Sequence, residues 1–464
     1  MVALAEIDSL VGEASESEAG PIAAASQPLP PPIELPRMLQ LLRFNQRQIE
    51  FVFRARRELG EVFRMTGTDE HVAVTSHPDH VRSLFTAKPE QAPSLTAESP
   101  LRPIVGPNSV LTAVGPRHMR QRKLLLPPFH GEAIAQYTQM IVEAARREIE
   151  GWPVGEPFAL APRMQAITLD VIMAGIFGVE GRPAPGTPEH GVRQAVKSLT
   201  HFSSSPLAQI GEIANIGSDE PRAMMKFTLG FLDRPTYAVI AARRGATDLD
   251  ERRDILSLLL QARTEEGEAL TDDELRDELL TLVLAGHETT ANTLAWAWER
   301  LVRTPDAQAR LVEAVRSGDE EESEEAIEAV IVEAMRSRPV IPIIGRRVTV
   351  PWRLGEYDLP ADTPVLVSIL LLHHREDLYP DPFAFRPERW AGRKPGTYEW
   401  IPFGGGIRRC LGAALAMAEQ RAVLREIALH LDLEADRPEP EHALHRNVTM
   451  IPARGARVVG TSRA

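Results

Sequence analysis

The chain of 464 residues contains a single cysteine, Cys410. That excludes intrachain disulfides, and also zinc ribbons and cysteine-ligated iron–sulfur clusters, which need several thiols; a reducing cytoplasm fits. No apolar run approaches the ~18 residues of a membrane-spanning helix, and the best, Leu279–Ala285, is far shorter. No Lys or Arg precedes Arg37, so the basic region of a secretory signal is missing. Residues 1–30 end in a proline run and are expected to form a disordered tail. Positive charge is in deficit: 52 basic against 65 acidic side chains leave a net charge of −13, which argues against nucleic-acid binding. No internal repeat is visible.

The composition itself, 43% hydrophobic and 25% charged, is that of a globular chain with a large core. Length alone suggests about three domains. "EVFRMTGTDEHVAVTS" (61–76) alternates around Gly67 and reads as a β-hairpin. A short helix starts at Pro78, and 116–129 is a basic helical segment stopped by Pro127 and Pro128. Helical patterns dominate residues 131–300. Thr271 and Glu274 form a capping box that opens a helix running to about Val302, roughly 30 residues or ~45 Å long. So long and apolar a helix must cross the centre of the protein. Ile327, Val330, Ile331, Ala334 and Met335 give one buried stripe to a helix over about 320–337. Strands are expected at 346–350, 363–369 and 456–460. The fold class is therefore mainly α with a small β part.

Cys410 follows "WIPFGGGIRR" and opens a helical pattern. A helix N-terminus stabilises a thiolate, and Gly404, Gly405 and Gly406 allow close approach of a flat ligand or a positive φ. A nucleophile would need a nearby base and oxyanion hole, which nothing local supplies; an inert core thiol would sit on an apolar stripe. One thiolate without other protein ligands suggests that a macrocycle completes the coordination. In "AGHETTAN" (285–292) the spacing of H-E-x-x-H fails, because Ala291 stands where the second His is needed. Gly286 costs a helix interior ~1 kcal/mol relative to Ala, commonly in exchange for close approach of a ligand. Thr289 can bond the carbonyl four residues back and bend the helix beside Glu288, a place to relay protons. Glu333 and Arg336 share one helix face.

The cysteine segment resembles the F-x-x-G-x-R-x-C-x-G loop of cytochrome P450 haem-thiolate monooxygenases, with Phe403, Gly406, Arg408, Cys410 and Gly412 at the fixed positions. "AGHETT" is similar to the family's A-G-x-[D/E]-T-T, "EAMR" to its E-x-x-R and "FRPERW" to its P-E-R-[F/W], all in family order. The resemblance spans about residues 35–460 and implies one triangular domain over 31–464, with haem between the long helix and the cysteine loop. It implies haem b on the Cys410 thiolate, with Phe403 packed by the sulfur; Gly404, Gly412 and Ala285 also in contact with the cofactor; and His118, Arg122, Arg408 and Arg346 (or Arg347) at the propionates. Glu288 and Thr289 match the acid–alcohol pair that delivers protons. Glu333, Arg336 and Arg389 match a buried structural network.

The implied reaction is RH + O2 + 2 e⁻ + 2 H⁺ → ROH + H2O. No flavin- or nicotinamide-binding unit is present, so electrons must come from a separate donor, expected to be a ferredoxin with its NAD(P)H-dependent reductase. It would dock on a basic patch drawn from Arg117, Arg120, Lys123, Arg409, Arg421 and Arg425. By position in the family the substrate pocket includes Ile104, Val105, Leu282, Ala285, Ile341, Ile344, Thr449 and Met450, with Arg102 the one possible charged anchor. This aliphatic set points to a lipophilic substrate: fatty acyl, terpenoid or steroid-like. A cytoplasmic monomer without a membrane anchor is expected. A haem-thiolate gas sensor and a peroxide-driven peroxygenase are the alternatives nearest to this reading, and Glu288 and Thr289 argue against both. A cysteine hydrolase is the third and predicts a colourless protein.

Overall fold

The computed structural model describes residues 19–66, 71–99, 101–129, 132–179, 181–203, 224–263 and 267–463. Its longer helices are α1 (Arg37–Gln46), α2 (Gln48–Leu59), α3 (Pro78–Thr86), α4 (Gly115–Leu125), α5 (Glu132–Ile149), α6 (Leu160–Phe177), α7 (Pro188–Ser203), α8 (Met224–Arg244), α9 (Asp272–Leu301), α10 (Pro305–Arg316), α11 (Glu320–Ser337) and α12 (Ala413–His430). The strands are β1 (Ala19–Pro21), β2 (Val62–Thr66), β3 (His71–Thr75), β4 (Pro157–Ala159), β5 (Ile343–Val348), β6 (Trp352–Leu354), β7 (Tyr357–Leu359), β8 (Thr363–Ser368), β9 (Leu431–Ala435), β10 (Ala443–Arg446), β11 (Thr449–Pro452) and β12 (Arg457–Arg463). The chain is mainly α with a small β part.

The long helix α9 organises the rest. Its N-terminus is closed reciprocally: Thr271 Oγ1 accepts from the Glu274 N–H at 3.2 Å, and the Glu274 carboxylate accepts from the Thr271 N–H at 3.0 Å. Most of α9 is buried, including Leu279, Leu280, Trp296 and Trp298. Its main neighbour is α6, which is long and apolar enough to cross a membrane yet mostly buried in the core; the longest unbroken apolar run in the sequence did not reveal it, because Arg163 and Asp170 interrupt α6.

Among the described residues the strands form four small sheets, with orders β1-β6-β7, β2-β3-β8-β5, β4-β12-β9 and β10-β11. β3 and β8 are parallel neighbours and the other pairs are antiparallel. The hairpin β2–β3 keeps one register from Val62↔Thr75 to Thr66↔His71; its Gly67 turn lies outside the described residues, as does the tail over residues 1–18. Residues 19–30 correct the expected tail. β1 pairs with β6, and the Asp358 carboxylate accepts from the Ser26 and Gln27 N–H groups at 2.8 Å each. The polar composition that reads as disorder here satisfies one carboxylate of β7.

Candidate functional site

α9, α12, β5 and the β10–β11 hairpin enclose a cavity of about 840 Å³. Its lining brings together residues far apart in sequence: His118, Arg122, Ala285, Glu288, Thr289, Arg346, Phe403, Gly404, Arg408, Cys410 and Gly412 all reach it.

The cysteine loop is built on a buried ion network. Glu333 and Arg336 on α11 are 0% exposed. Two parallel bonds of 2.8 Å join them, the strong bidentate form. Arg389 Nε, the Arg386 N–H and Trp390 Nε1 donate to the same carboxylate. Arg336 also donates to the His373 and Pro382 carbonyls at 2.8 Å each. His373 is fully buried, and burial followed by Arg336 holds its pKa down to about 3; the neutral Nε2 accepts from the Ile401 N–H at 2.9 Å. Two residues on, Phe403 turns the chain, and its carbonyl accepts from the Cys410 N–H at 2.9 Å. The E-x-x-R helix is thus connected by hydrogen bonds to the loop that carries the thiol.

The loop's glycines have separate reasons. Gly404 adopts φ +65° and Gly406 φ +60°, conformations that other residues reach only at a cost. A Cβ on Gly405 would lie 2.3 Å from Phe85 Cδ2, and one on Gly406 2.4 Å from the Phe85 carbonyl oxygen. These two positions therefore admit α3, whereas a Cβ on Gly412 would meet nothing within 4 Å. Gly286 lines the cavity, and its absent Cβ also makes room for Ile172 Cδ1, 2.6 Å from the ideal position, so the glycine serves packing of α6 on α9 as well.

Cys410 faces the cavity. Burial pushes its thiol up; the Gly412 N–H, Arg122 and Arg409 pull in the opposite direction without cancelling it. A metal cation at the sulfur would deprotonate it outright. Around it stand cations whose protein partners are neutral. Arg122 donates to the Arg409 carbonyl, Arg408 to the carbonyls of Val110, Leu111 and Ala113, and Arg346 to Gly345 while lying over the Phe85 ring. Burial pushes Arg346 down to about 10, and burial with its cationic neighbours pushes Arg408 to about 10. His118 is held near 4 by burial, then by Arg408, Arg122 and Arg346. Such a group of cations, Arg346 buried and Arg122 and Arg408 partly so, calls for anions. A macrocycle bearing two carboxylates, with its metal on one thiolate, fits this donor set, and Gly404 and Gly412 leave its face clear. Arg347 does not compete with Arg346, because Glu98 holds it at 2.9 Å.

On the opposite wall, Thr289 Oγ1 donates to the Ala285 carbonyl at 2.6 Å and Thr293 Oγ1 to the Thr289 carbonyl at 2.9 Å. Glu288 forms an ion pair with Arg446 of β10. Sequence reasoning missed Arg446, for which no local motif exists. It also missed Glu419, a buried carboxyl on α12 that borders the cavity with its pKa raised by burial.

Among the proposed pocket residues, Ile104, Val105, Leu282, Ala285, Ile341, Ile344 and Thr449 line the cavity. Met450 does not. It packs with Trp296, Val340 and Ala443, because strand alternation turns it away from the face that carries Thr449. Arg102 is likewise absent from the lining, whereas Leu199, Thr200 and Leu229 of α7 and α8 join it. The expected basic patch shrinks. Arg120 pairs with Glu274 at 2.7 Å, Arg421 with Glu328 at 2.7 Å, and Arg425 with Glu320 and Glu324 at 2.7 Å each.

Comparison with known proteins agrees with this geometry. The cytochrome P450 family model matches residues 28–458. "Putative cytochrome P450 137" of Mycobacterium tuberculosis is 38% identical over 396 residues, 83% of this chain and 80% of that protein. "Putative cytochrome P450 138" of Mycobacterium bovis is 36% identical over 436 residues, 93% and 96% of the two chains. The structure of retinoic acid-bound cyanobacterial CYP120A1 superposes with a TM-score of 0.78 at 22% identity, covering 95% of this chain and all of the other; that likeness speaks for the fold. With a family match over nearly its whole length and a cavity that joins one cysteine to three arginines, this chain belongs to the cytochrome P450 family of haem-thiolate monooxygenases.

Proposed function

We propose that this monooxygenase inserts one atom of O2 into a C–H bond of a lipophilic small molecule of the fatty acyl, terpenoid or steroid-like class. The observation that carries the substrate class is the cavity wall beside Thr289, dominated by Ile104, Val105, Leu282, Ile341 and Ile344. Apolar surface of this kind binds by area, and a few polar groups fix orientation. Bound against Cys410, haem b supplies dioxygen activation and oxygen transfer. The chain's own residues do the rest. Arg122, Arg346 and Arg408 would neutralise the propionates, and the neutral His118 ring would donate a hydrogen bond to one of them. The aliphatic wall excludes water and orients the substrate. Glu288 and Thr289 move protons to the reacting oxygen. The retinoid named for the cyanobacterial neighbour has the same lipophilic character and is a first probe.

Electrons are proposed to arrive from a ferredoxin with an NAD(P)H-dependent reductase. The docking face narrows to Arg117 and Arg409, with exposed Val114, Met119 and Ile407 among them. A basic rim around apolar side chains suits an acidic partner. A cytoplasmic monomer completes the proposal.

The test is the reduced, carbon monoxide-treated protein, followed by a screen of fatty acids, terpenoids, steroids and retinoic acid for displacement of the Soret band. A reduced band near about 450 nm and displacement by one lipophilic class are expected. A colourless protein overturns the reading, and displacement only by charged hydrophilic compounds overturns the substrate class.

A further inference from the structure

The acid beside Thr289 is already engaged, because Arg446 Nη2 donates to Glu288 Oε1. Arg446 closes β10 and is paired across the hairpin with Thr449, whose Oγ1 donates to the Arg446 carbonyl at 2.9 Å. The stem of this hairpin is fixed: the Met450 carbonyl accepts from Trp296 Nε1 of α9 at 3.1 Å, and the Met450 N–H donates to the Val340 carbonyl at 2.7 Å. Its tip faces the cavity through Asn447, Val448 and Thr449, with Asn447 turning the chain at φ 53°. A molecule in the cavity therefore presses on residues adjacent to Arg446, and Arg446 holds a carboxylate adjacent to Thr289. His287, buried next to this pair, is kept neutral by burial and by Arg446 and Arg193, with its pKa down to about 4, so it does not compete as a charge. A carboxyl that takes up a proton loses the charge that Arg446 holds, so every proton relayed through Glu288 must loosen the pair.

We propose that Arg446 is a positioning residue for the proton-delivering acid, and that substrate contact with the 447–449 tip sets where Arg446 holds Glu288. Cavity occupancy and proton delivery are then coupled through one ion pair. This rests on the monooxygenase reading with Glu288 as the acid.

The experiment uses the haem-loaded full chain as wild type, R446Q, R446K, E288Q and the R446Q/E288Q double variant. A surrogate ferredoxin–reductase pair supplies electrons, and dodecanoic acid is the lipophilic probe. Three quantities are read: the share of electrons released as hydrogen peroxide, the solvent isotope effect on dioxygen consumption, and dodecanoic acid affinity from the Soret shift. Loss of a positioned proton donor costs on the order of 10²–10⁴ in rate; misplacing it without removing it is expected to lower the turnover-to-peroxide ratio about tenfold in R446Q, with a larger isotope effect and R446K in between. The double variant is expected to be no worse than E288Q. Because coupling is reciprocal, E288Q, which leaves the tip untouched, shifts the probe affinity as far as R446Q does.

R446Q matching wild type while E288Q departs from it overturns the proposal and leaves the monooxygenase reading standing. Additive effects in the double variant overturn it too, because they mean that Arg446 supports only the fold. E288Q matching wild type overturns the acid assignment itself. If R446Q loses the band near about 450 nm, R446K decides, since it keeps the charge; if dodecanoic acid causes no shift, the peroxide share and isotope effect decide.

Discussion

Replacing Arg336 with methionine tests the link between the ion network and the cysteine loop. The variant removes two 2.8 Å bonds to Glu333 and the donors to the His373 and Pro382 carbonyls. Glu333, 0% exposed, keeps Arg389, the Arg386 N–H and Trp390 Nε1 as donors, so the carboxylate is weakened rather than stripped. Removing one partner of a buried pair costs about 3–5 kcal/mol, a large fraction of the ~5–15 kcal/mol that holds a protein folded. At about 2.1 cal/mol/K of unfolding entropy per residue, a chain of 464 residues carries on the order of 1 kcal/mol/K, which makes the expected fall in Tm about 3–5 °C. The control is R425M, whose exposed partners Glu320 and Glu324 predict a change of about 0–1 kcal/mol. Thermal unfolding by circular dichroism reads the fold, and the reduced carbon monoxide spectrum reads the cysteine loop through His373 and Ile401. An R336M protein that melts within about 1 °C of wild type with its band still near about 450 nm would refute the reasoning.

Other expectations follow from single residues. Gly405→Ala should disturb the thiolate loop by driving a methyl group into Phe85; a shift of the reduced band toward about 420 nm, reversed by a second change, Phe85→Ala, is the expected sign, and an unaltered spectrum in G405A contradicts it. If Arg408 holds a propionate as proposed, Arg408→Gln should release haem faster to a scavenger protein by about tenfold or more, the worth of one charge-assisted contact. Glu278 is pushed up to about 8 by burial, despite accepting from the Val110 N–H at 2.9 Å. The folded protein therefore holds a proton that the unfolded chain releases above its ordinary 4.5. Stability from this group should be greatest below 4.5 and fall as pH rises toward 8; denaturant titrations at several pH values should show E278Q with a flatter profile. Ile344→Phe should change the site of oxidation by filling the cavity wall, and an identical product distribution would remove Ile344 from substrate contact.

Much of this protein was legible because its chemistry is local in sequence. The capping box of α9, the apolar stripe of α11 and the glycine-flanked thiol each fall within a few residues, where helix periodicity and backbone geometry act directly. The E-x-x-R pair is local too, since i, i+3 residues share a face. What sequence could not settle depends on elements meeting from opposite ends of the chain. Gly286 reads in the sequence as room for a ligand; only the fold adds that Ile172 of α6 occupies the space of its missing Cβ while the residue borders the cavity. Arg346 and Arg347 both fit the pattern, with spacing only slightly in favour of Arg346; the strand sends Arg346 to the cavity, and Glu98 holds Arg347. Arg120, Arg421 and Arg425 looked free to meet a partner until their carboxylates came into place.

The sequence by itself determined the reaction class, because one thiolate behind a glycine turn and an acid–alcohol pair in a central helix each carry their chemistry in adjacent residues. Tertiary structure alone decided the assignments of Arg446 and Met450. Whether a strand residue faces a cavity, a carboxylate or a core depends on register and packing, and those are fixed only when distant segments bury surface against one another.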